Sequence, residues 1–195
     1  MFRLVLGAIF QGRCRPLNSS VHSRSPVGLW QEFRADADAH FERPVSVLRS
    51  VGGALLVRSV QAASLYRLSR WAHLHRLRPI AAVLCRVSQL LFQVDIDPRA
   101  VIGPGLRLRH CQGVVIGSEA VIGNNCTIFH QVTIGKRFSG GPDRPDGMAT
   151  IGDHVLIGAG AKILGPVSIA SHAVIGANVV VTRDVPAVSE PRSSL

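Results

Sequence analysis

Lysine is almost missing from this chain. Lys136 and Lys162 are the only two among 195 residues, so arginine carries nearly all of the formal net charge of +10. Aromatic side chains are also scarce, with seven Phe, two Trp and one Tyr. That is thin for a conventional globular core, in which rings supply much of the buried area. Paired cysteines are lacking too: Cys14, Cys85, Cys111 and Cys126 are widely spaced and form no CxxC. This argues against a disulfide scaffold and favours a reducing, cytoplasmic setting. No apolar segment reaches eighteen uncharged residues, so a transmembrane span is not expected. Zinc-finger spacing and the aromatic-plus-basic strip of RNA-binding modules are both missing. The positive charge therefore reads as a solvated basic face, with no nucleic-acid partner.

What is present is aliphatic. Apolar residues make up 47% of the chain, and 19 residues are glycine. That content excludes wholesale disorder and suits narrow, stacked coils. Residues 1–28 read as an extension apart from the fold. Arg3, Arg13, Arg15 and Arg24 alternate with serines and apolar residues, and no acid precedes Glu32. Such a composition fits a targeting-like peptide, a disordered extension or an early start codon. Residues 29–93 carry helical periodicity. Trp30, Phe33 and Ala37 recur at helical spacing, and Leu48, Leu55, Leu56, Val60, Ala63, Leu65, Leu68 and Trp71 can line a wide apolar face. Pro79 is placed to open a last helix ending at Phe92.

At Val94 the period changes to six. Aliphatic residues recur at Ile96, Ile102 and Leu108, then at Ile116, Ile122, Ile128 and Ile134. They resume at Ile151, Ile157, Ile163, Ile169, Ile175 and Val181. Glycine often follows the aliphatic, and a small or β-branched residue such as Ala100, Cys126 or Ala161 stands two places before it. Neither a strand nor a helix has this period, whereas a repeat architecture does. Each hexad supplies one short strand and a turn, and three hexads close a triangular coil. The expected fold is therefore mainly β: a parallel β-helix over residues 94–186, preceded by a small α-helical region. A loop insertion covers 136–150 and a tail covers 187–195. Two interruptions, Arg109–Val115 and Lys136–Thr150, are where surface chemistry is expected to collect.

The six-residue pattern resembles the hexapeptide-repeat acyltransferases, whose coils wind left-handed. Longer motifs narrow the likeness: Val94-Asp95-Ile96-Asp97-Pro98, Gly105-Leu-Arg-Leu-Arg-His110-Cys-Gln-Gly113, Gln131-Val-Thr-Ile-Gly135 and Ile157-Gly-Ala-Gly-Ala-Lys-Ile-Leu-Gly165. Together they resemble the serine O-acetyltransferase family over roughly residues 60–186. The resemblance implies that His110 is the general base and that Asp95 pairs with it. It implies acetyl-CoA as co-substrate, no metal, a small hydroxyl-bearing acceptor, and a homotrimer or dimer of trimers with acetyl-CoA in the groove between subunits. Ala159 and Ala177 match positions that contact coenzyme A through the backbone. Gly135 and Lys162 are further candidate cofactor contacts, the lysine through phosphate. An imidazole titrating near neutrality suits a base that takes a hydroxyl proton and returns it to a thiolate. His130 is the reserve base.

Three departures bear on the acceptor. Arg109 stands where the family has an aspartate that holds the substrate's ammonium. The arm reads Asp143-Arg144-Pro145-Asp146 without the family's histidine, which leaves Arg144 as the candidate carboxylate partner. Ser118 replaces an expected glutamate, with Glu119 one place late. Arg109 and Arg144 are thus the candidate substrate contacts. L-Serine is the expected acceptor, placing the chain in cysteine biosynthesis. A sugar hydroxyl is the enzymatic alternative, and a non-catalytic scaffold is the alternative from another class.

Overall fold

The structure is a computed structural model, and it describes residues 28–42, 44, 46, 56–137 and 147–187. Three helices lead in: α1 (Leu29–Phe41), α2 (Arg58–Leu74) and α3 (Arg78–Phe92). Pro79 lies in the first turn of α3, where its missing N–H costs no helical bond. Glu42 and Gln93 close α1 and α3 in the left-handed conformation, and their N–H groups turn back to the last carbonyls.

The buried face of α2 differs from the apolar stripe expected there. Val60, Ala62, Ala63, Tyr66, Arg67 and Ala72 are buried, whereas Trp71 is 41% exposed and Leu56 is 83% exposed. The reason lies in what α2 packs against. The first coil presents unpaired carbonyl groups at its corner, and polar side chains answer them better than leucine would. Arg67 donates to the carbonyls of Ile102 (2.6 Å) and Gly103 (2.7 Å). It also grips Asp36 of α1 with Nε and Nη2, at 2.9 and 3.0 Å. Asp36 in turn accepts from the backbone N–H of Leu106 at 2.8 Å. Tyr66 donates to the carbonyl of Ala100 at 2.9 Å. Small residues let α2 approach the coil closely, and these polar contacts fix its orientation. Residues 47–55, which hold Leu48 and Leu55, lie outside the described residues.

From Val94 onward the chain climbs through short parallel strands. They are β1 (Val94–Ile96), β2 (Val101–Ile102), β3 (Arg107–Arg109), β4 (Val114–Ile116), β5 (Val121–Ile122), β6 (Thr127–Phe129) and β7 (Thr133–Gly135). Then come β8 (Thr150–Ile151), β9 (Leu156–Ile157), β10 (Lys162–Leu164), β11 (Ser168–Ile169), β12 (Val174–Ile175) and β13 (Val180–Val181). They form three sheets, each taking every third strand: β1-β4-β7-β10-β13, β2-β5-β8-β11 and β3-β6-β9-β12. This is the prism that a six-residue period builds. Its interior is three aliphatic columns. Ile96, Ile116, Ile134, Ile163 and Val181 stack in the first sheet. Ile102, Ile122, Ile151 and Ile169 stack in the second. Leu108, Ile128, Ile157 and Ile175 stack in the third. Each fully buried side chain of this kind contributes about 1.5–3 kcal/mol relative to exposure. Cys126 is fully buried in one of the small-residue slots. Burial pushes its thiol up to about 11.

Register locates the two interruptions. Val94 pairs with Val114, Val115 with Thr133, Thr133 with Lys162, and Lys162 with Val180, so successive coils take 20, 18, 29 and 18 residues. The excess in the first coil falls between Arg109 and Val114, and the excess in the third falls between Gly135 and Thr150. Both are the segments at which the sequence period broke.

Candidate active site

One edge of the prism, where the third sheet turns into the first, gathers most of the candidate residues. Successive corners on it are His110–Gly113, His130–Gln131, Ala159–Gly160 and Ala177–Asn178. A backbone ladder runs along it. Gly113 N–H donates to Gln93 O (2.8 Å), Gln131 N–H to Gln112 O (2.8 Å), Gly160 N–H to His130 O (3.0 Å) and Asn178 N–H to Ala159 O (2.8 Å). Sharp corners demand left-handed backbone. Gln93, His110, Gly113, Gln131, Gly160 and Asn178 all have positive φ, from 54° to 72°. At Gly160 (φ +72°) the requirement is also spatial, because an added Cβ would run into the Asn178 side chain.

His110 sits at the extended corner of the first coil and is exposed. The two additional residues of that coil carry it off the regular stack. Its ring meets His130 edge-to-face at 6.1 Å between centroids. His130 belongs to the next corner along, so the candidate base and the reserve candidate share one edge. Asp95 projects outward from β1 between buried Val94 and Ile96. It lines a cleft of about 280 Å³ against α3 with Arg78, Cys85, Arg86 and Gln89. Among the described residues Asp95 makes no hydrogen bond or ion pair, with His110 or any other group. Burial pushes the Cys85 thiol up, and Asp95 and Asp97 add to that shift. Asp97 itself is held below the usual carboxylate range, first by its hydrogen bond from Arg99.

The candidate cofactor positions lie further along. Ala159 and Ala177 occupy equivalent corners of adjacent coils on the His110 edge, so the column of alanines continues the column of histidines. Lys162 faces outward from β10 next to this edge and donates through Nζ to Gln131 O at 2.7 Å. Gly135 ends β7, and its carbonyl accepts from Gly165 N–H at 2.9 Å. A Cβ there would make only ordinary contact, with Leu164 at 3.8 Å, so packing does not demand glycine at this position.

The substrate candidates are placed differently. Arg109 lies on β3, and its Nη2 contacts Glu42 Oε1 at 2.6 Å; Arg107 contacts the same oxygen at 2.6 Å. Glu42, the left-handed residue closing α1, is a neighbour that no sequence spacing could reveal. The same two arginines, after burial itself, help to lower the proton affinity of His40. Arg144 lies outside the described residues. His154 and His172, given no role from the sequence, stack with ring planes 8° apart and centroids 4.9 Å apart on a different edge. Among the described residues no group of three His, Cys, Asp or Glu side chains is arranged to hold a metal, and no helix is long and apolar enough to cross a membrane.

Known proteins resemble this chain in sequence and fold. Residues 148–183 match the family model described as bacterial transferase hexapeptide (six repeats), and residues 109–130 match the hexapeptide repeat of succinyl-transferase. A serine acetyltransferase of Helicobacter pylori (strain ATCC 700392 / 26695) is 39% identical over 132 residues, which are 68% of this chain and 75% of the relative. The chain belongs to the serine acetyltransferase family. A serine acetyltransferase of Mycobacterium tuberculosis is 39% identical over 155 residues, 79% of this chain and 66% of that protein. The chain thus spans slightly less than two thirds of that longer relative. Among solved structures, Neisseria gonorrhoeae serine acetyltransferase in complex with serine superposes with a TM-score of 0.70 at 39% identity, covering 81% of this chain and 64% of that one. The Brucella abortus serine acetyltransferase in complex with coenzyme A gives 0.68 at 35% identity, covering 79% and 60%. As in the serine acetyltransferases, the prism is a left-handed parallel β-helix, against the usual right-handed crossover preference.

Proposed function

We propose that this protein transfers an acetyl group from acetyl-CoA to the hydroxyl of L-serine, a step in cysteine biosynthesis. The observation that carries the reading is the shared edge, with His110 raised at one end and the Ala159 and Ala177 corners continuing from it. The Neisseria relative binds serine and the Brucella relative binds coenzyme A, which supports both halves of the reaction.

The chemistry follows from the residue types. The serine oxygen attacks the thioester carbonyl carbon while the His110 imidazole accepts the hydroxyl proton. The carbonyl π pair moves onto oxygen and gives a tetrahedral oxyanion. When that pair returns, the C–S bond breaks and the thiolate takes the proton from imidazolium, releasing coenzyme A and O-acetylserine. Asp95, a carboxylate without a partner among the described residues, makes no contact with His110 in the free protein; brought within hydrogen-bond reach, it orients the ring and favours its protonated form in the transition state. Pantetheine lies along the backbone of the Ala159 and Ala177 corners, past Gly135, and Lys162 meets phosphate. The groove is completed by a second protomer of a homotrimer. The exposed apolar residues Ile80, Val83, Leu90 and Leu91 of α3 support assembly. Among the described residues Cys85, Cys111 and Cys126 are unpaired, which fits a reducing cytoplasm.

An acceptor screen with acetyl-CoA and thiol detection tests this. L-Serine should drive thiol release, and His110→Ala should lower it by about 10²–10⁴-fold. Release without serine dependence sinks the assignment. A sugar hydroxyl is the second reading, favoured by the Arg109–Glu42 pair. It places a guanidinium rather than a free carboxylate beside the base, and the same screen would show turnover with an oligosaccharide instead.

A further inference from the structure

Arg109 ends β3 one residue before His110. Its side chain leaves the sheet on the outer face together with that of Arg107, while Leu108 between them turns into the prism. Both guanidinium groups close on a single oxygen: Arg109 Nη2 and Arg107 Nη1 each donate to Glu42 Oε1 at 2.6 Å. One carboxylate therefore answers two cations, and the cluster keeps a net positive charge. The surplus is felt nearby, since after burial itself Arg109 and then Arg107 lower the proton affinity of His40.

The two arginines are not equivalent. Arg107 is tied on a second side, where its Nε donates to Thr127 Oγ1 at 3.1 Å, and its side chain is only 22% exposed. Arg109 is 42% exposed, and Glu42 engages one of its five N–H donors. In register Arg109 stands opposite Phe129, so it borders the edge on which His110 and His130 meet. Glu42 is itself 60% exposed, and a partner so open to water is readily exchanged. A planar guanidinium with donors to spare takes a carboxylate through two parallel hydrogen bonds. An ammonium group meets the opposite situation: the Glu42 charge is already balanced, and the remaining field repels a cation.

We propose that Arg109 determines acceptor specificity by holding the acceptor's carboxylate, and that the site leaves the acceptor's ammonium group unread. This rests on the acetyl-transfer reading above. The substrate class is then the 3-hydroxy carboxylates, of which L-serine is one member. Glu42 is the internal anion that an incoming carboxylate displaces from Arg109. The bonds made and broken are unchanged: the acceptor oxygen gains the acetyl group, and the thiolate receives the hydroxyl proton through His110.

The test uses the full chain, acetyl-CoA, thiol detection and three acceptors. These are L-serine, 3-hydroxypropionate, which lacks the ammonium, and L-serinamide, which lacks the carboxylate. 3-Hydroxypropionate should reach a kcat/KM within about 5-fold of L-serine, whereas L-serinamide should fall by about 10²-fold. Two variants should move KM in opposite directions. Arg109→Gln should raise KM for L-serine and for 3-hydroxypropionate by about 10–100-fold, with kcat within about 3-fold. Glu42→Gln, which frees the guanidinium, should lower both KM values by about 3–10-fold. A merely structural ion pair would weaken both variants alike, so KM changes of the same sign overturn the proposal. So does 3-hydroxypropionate turnover about 10²-fold below that of L-serine, which would show that the ammonium is read. An unmodified chain that releases no thiol with any of the three removes the acetyl-transfer reading and this role together. A chain that turns over L-serine and L-serinamide equally removes this role alone.

Discussion

At the scale of single residues, Tyr66 shows how a buried polar group is tied to pH. Burial pushes its phenol up to about 12, so the folded state favours the protonated ring, whose O–H donates to Ala100 O at 2.9 Å. The stability this provides is full below the ordinary phenol value near pH 10 and is lost as pH rises towards 12. Tyr66→Phe should cost about 0.5–1.5 kcal/mol at neutral pH. The Ala100 carbonyl keeps Arg70 Nη1 as a donor at 2.6 Å, so no acceptor is orphaned. Above pH 10 the variant should lose stability less steeply than the parent, a crossing that urea melts at pH 7 and pH 11 would show. Equal slopes in the two proteins contradict the linkage. Residues such as Tyr66 and Arg67 also mark the limit of what a sequence displays. Neither belongs to the apolar stripe that periodicity predicts, and periodicity gives them no role, because the carbonyls they answer belong to another element some thirty-five residues away. The Glu42 contact with Arg109 is hidden for the same reason.

At the scale of elements, the buried Asp36–Arg67 pair is central to the contacts that join the helical lead-in to the prism. Asp36→Ala would leave the buried Arg67 guanidinium with only the Glu32 carboxylate at 3.7 Å, and it would also orphan the Leu106 N–H. Such losses cost about 3–5 kcal/mol, readable as a fall in the midpoint of urea unfolding. Replacing both partners together, Asp36→Leu with Arg67→Met, should recover much of it, because the penalty comes from the stranded charge. The corners of the active edge obey a different rule. Gly160→Ala forces a side chain into left-handed backbone and into Asn178, and should cost about 1–3 kcal/mol. It should raise KM for acetyl-CoA more than KM for serine, since this corner lies on the proposed cofactor side. A uniform change in both would place coenzyme A elsewhere. Elements of this kind were readable in advance. Thirteen aliphatics at a six-residue spacing name the strands almost one by one, because each hexad meets the same environment in every coil. The breaks in spacing named the two insertions equally well. Which corner stacks above which is a product of three-fold closure and of the unequal coil lengths. The common edge of His110, His130, Ala159 and Ala177 therefore emerged only in three dimensions.

At the scale of the whole molecule, a basic helical region, whose acids all lie at or before Glu42, is joined to a slender solenoid. Solenoids draw stability from each repeat and from its neighbours in turn, and their outer faces remain available for assembly. Leu90 is 82% exposed and Val83 61% exposed on α3, a large apolar display for an isolated subunit. Light scattering on the purified chain should give the mass of three or six protomers, and Leu90→Glu should shift it towards smaller species. A single protomer at micromolar concentration would contradict the proposed groove between subunits. Loss of activity in parallel with loss of assembly would show that each site draws on two chains. Val115 and Val180, outward on the same sheet as Asp95 and 40% and 60% exposed, are suited to the other wall of that groove.

The twenty residues of the first coil, set against the regular eighteen, have a further consequence. A perfect repeat is a crystal in one dimension, in which every hexad is interchangeable and no position can be singled out for chemistry. Two surplus residues act as a dislocation in that crystal. They break the equivalence of the coils at one point while leaving the stacked interior in register on either side. Reactivity and rigidity are thereby supplied by different parts of the same ladder. Such a rod can gain or lose an active point by an indel of two codons, without renegotiating its core.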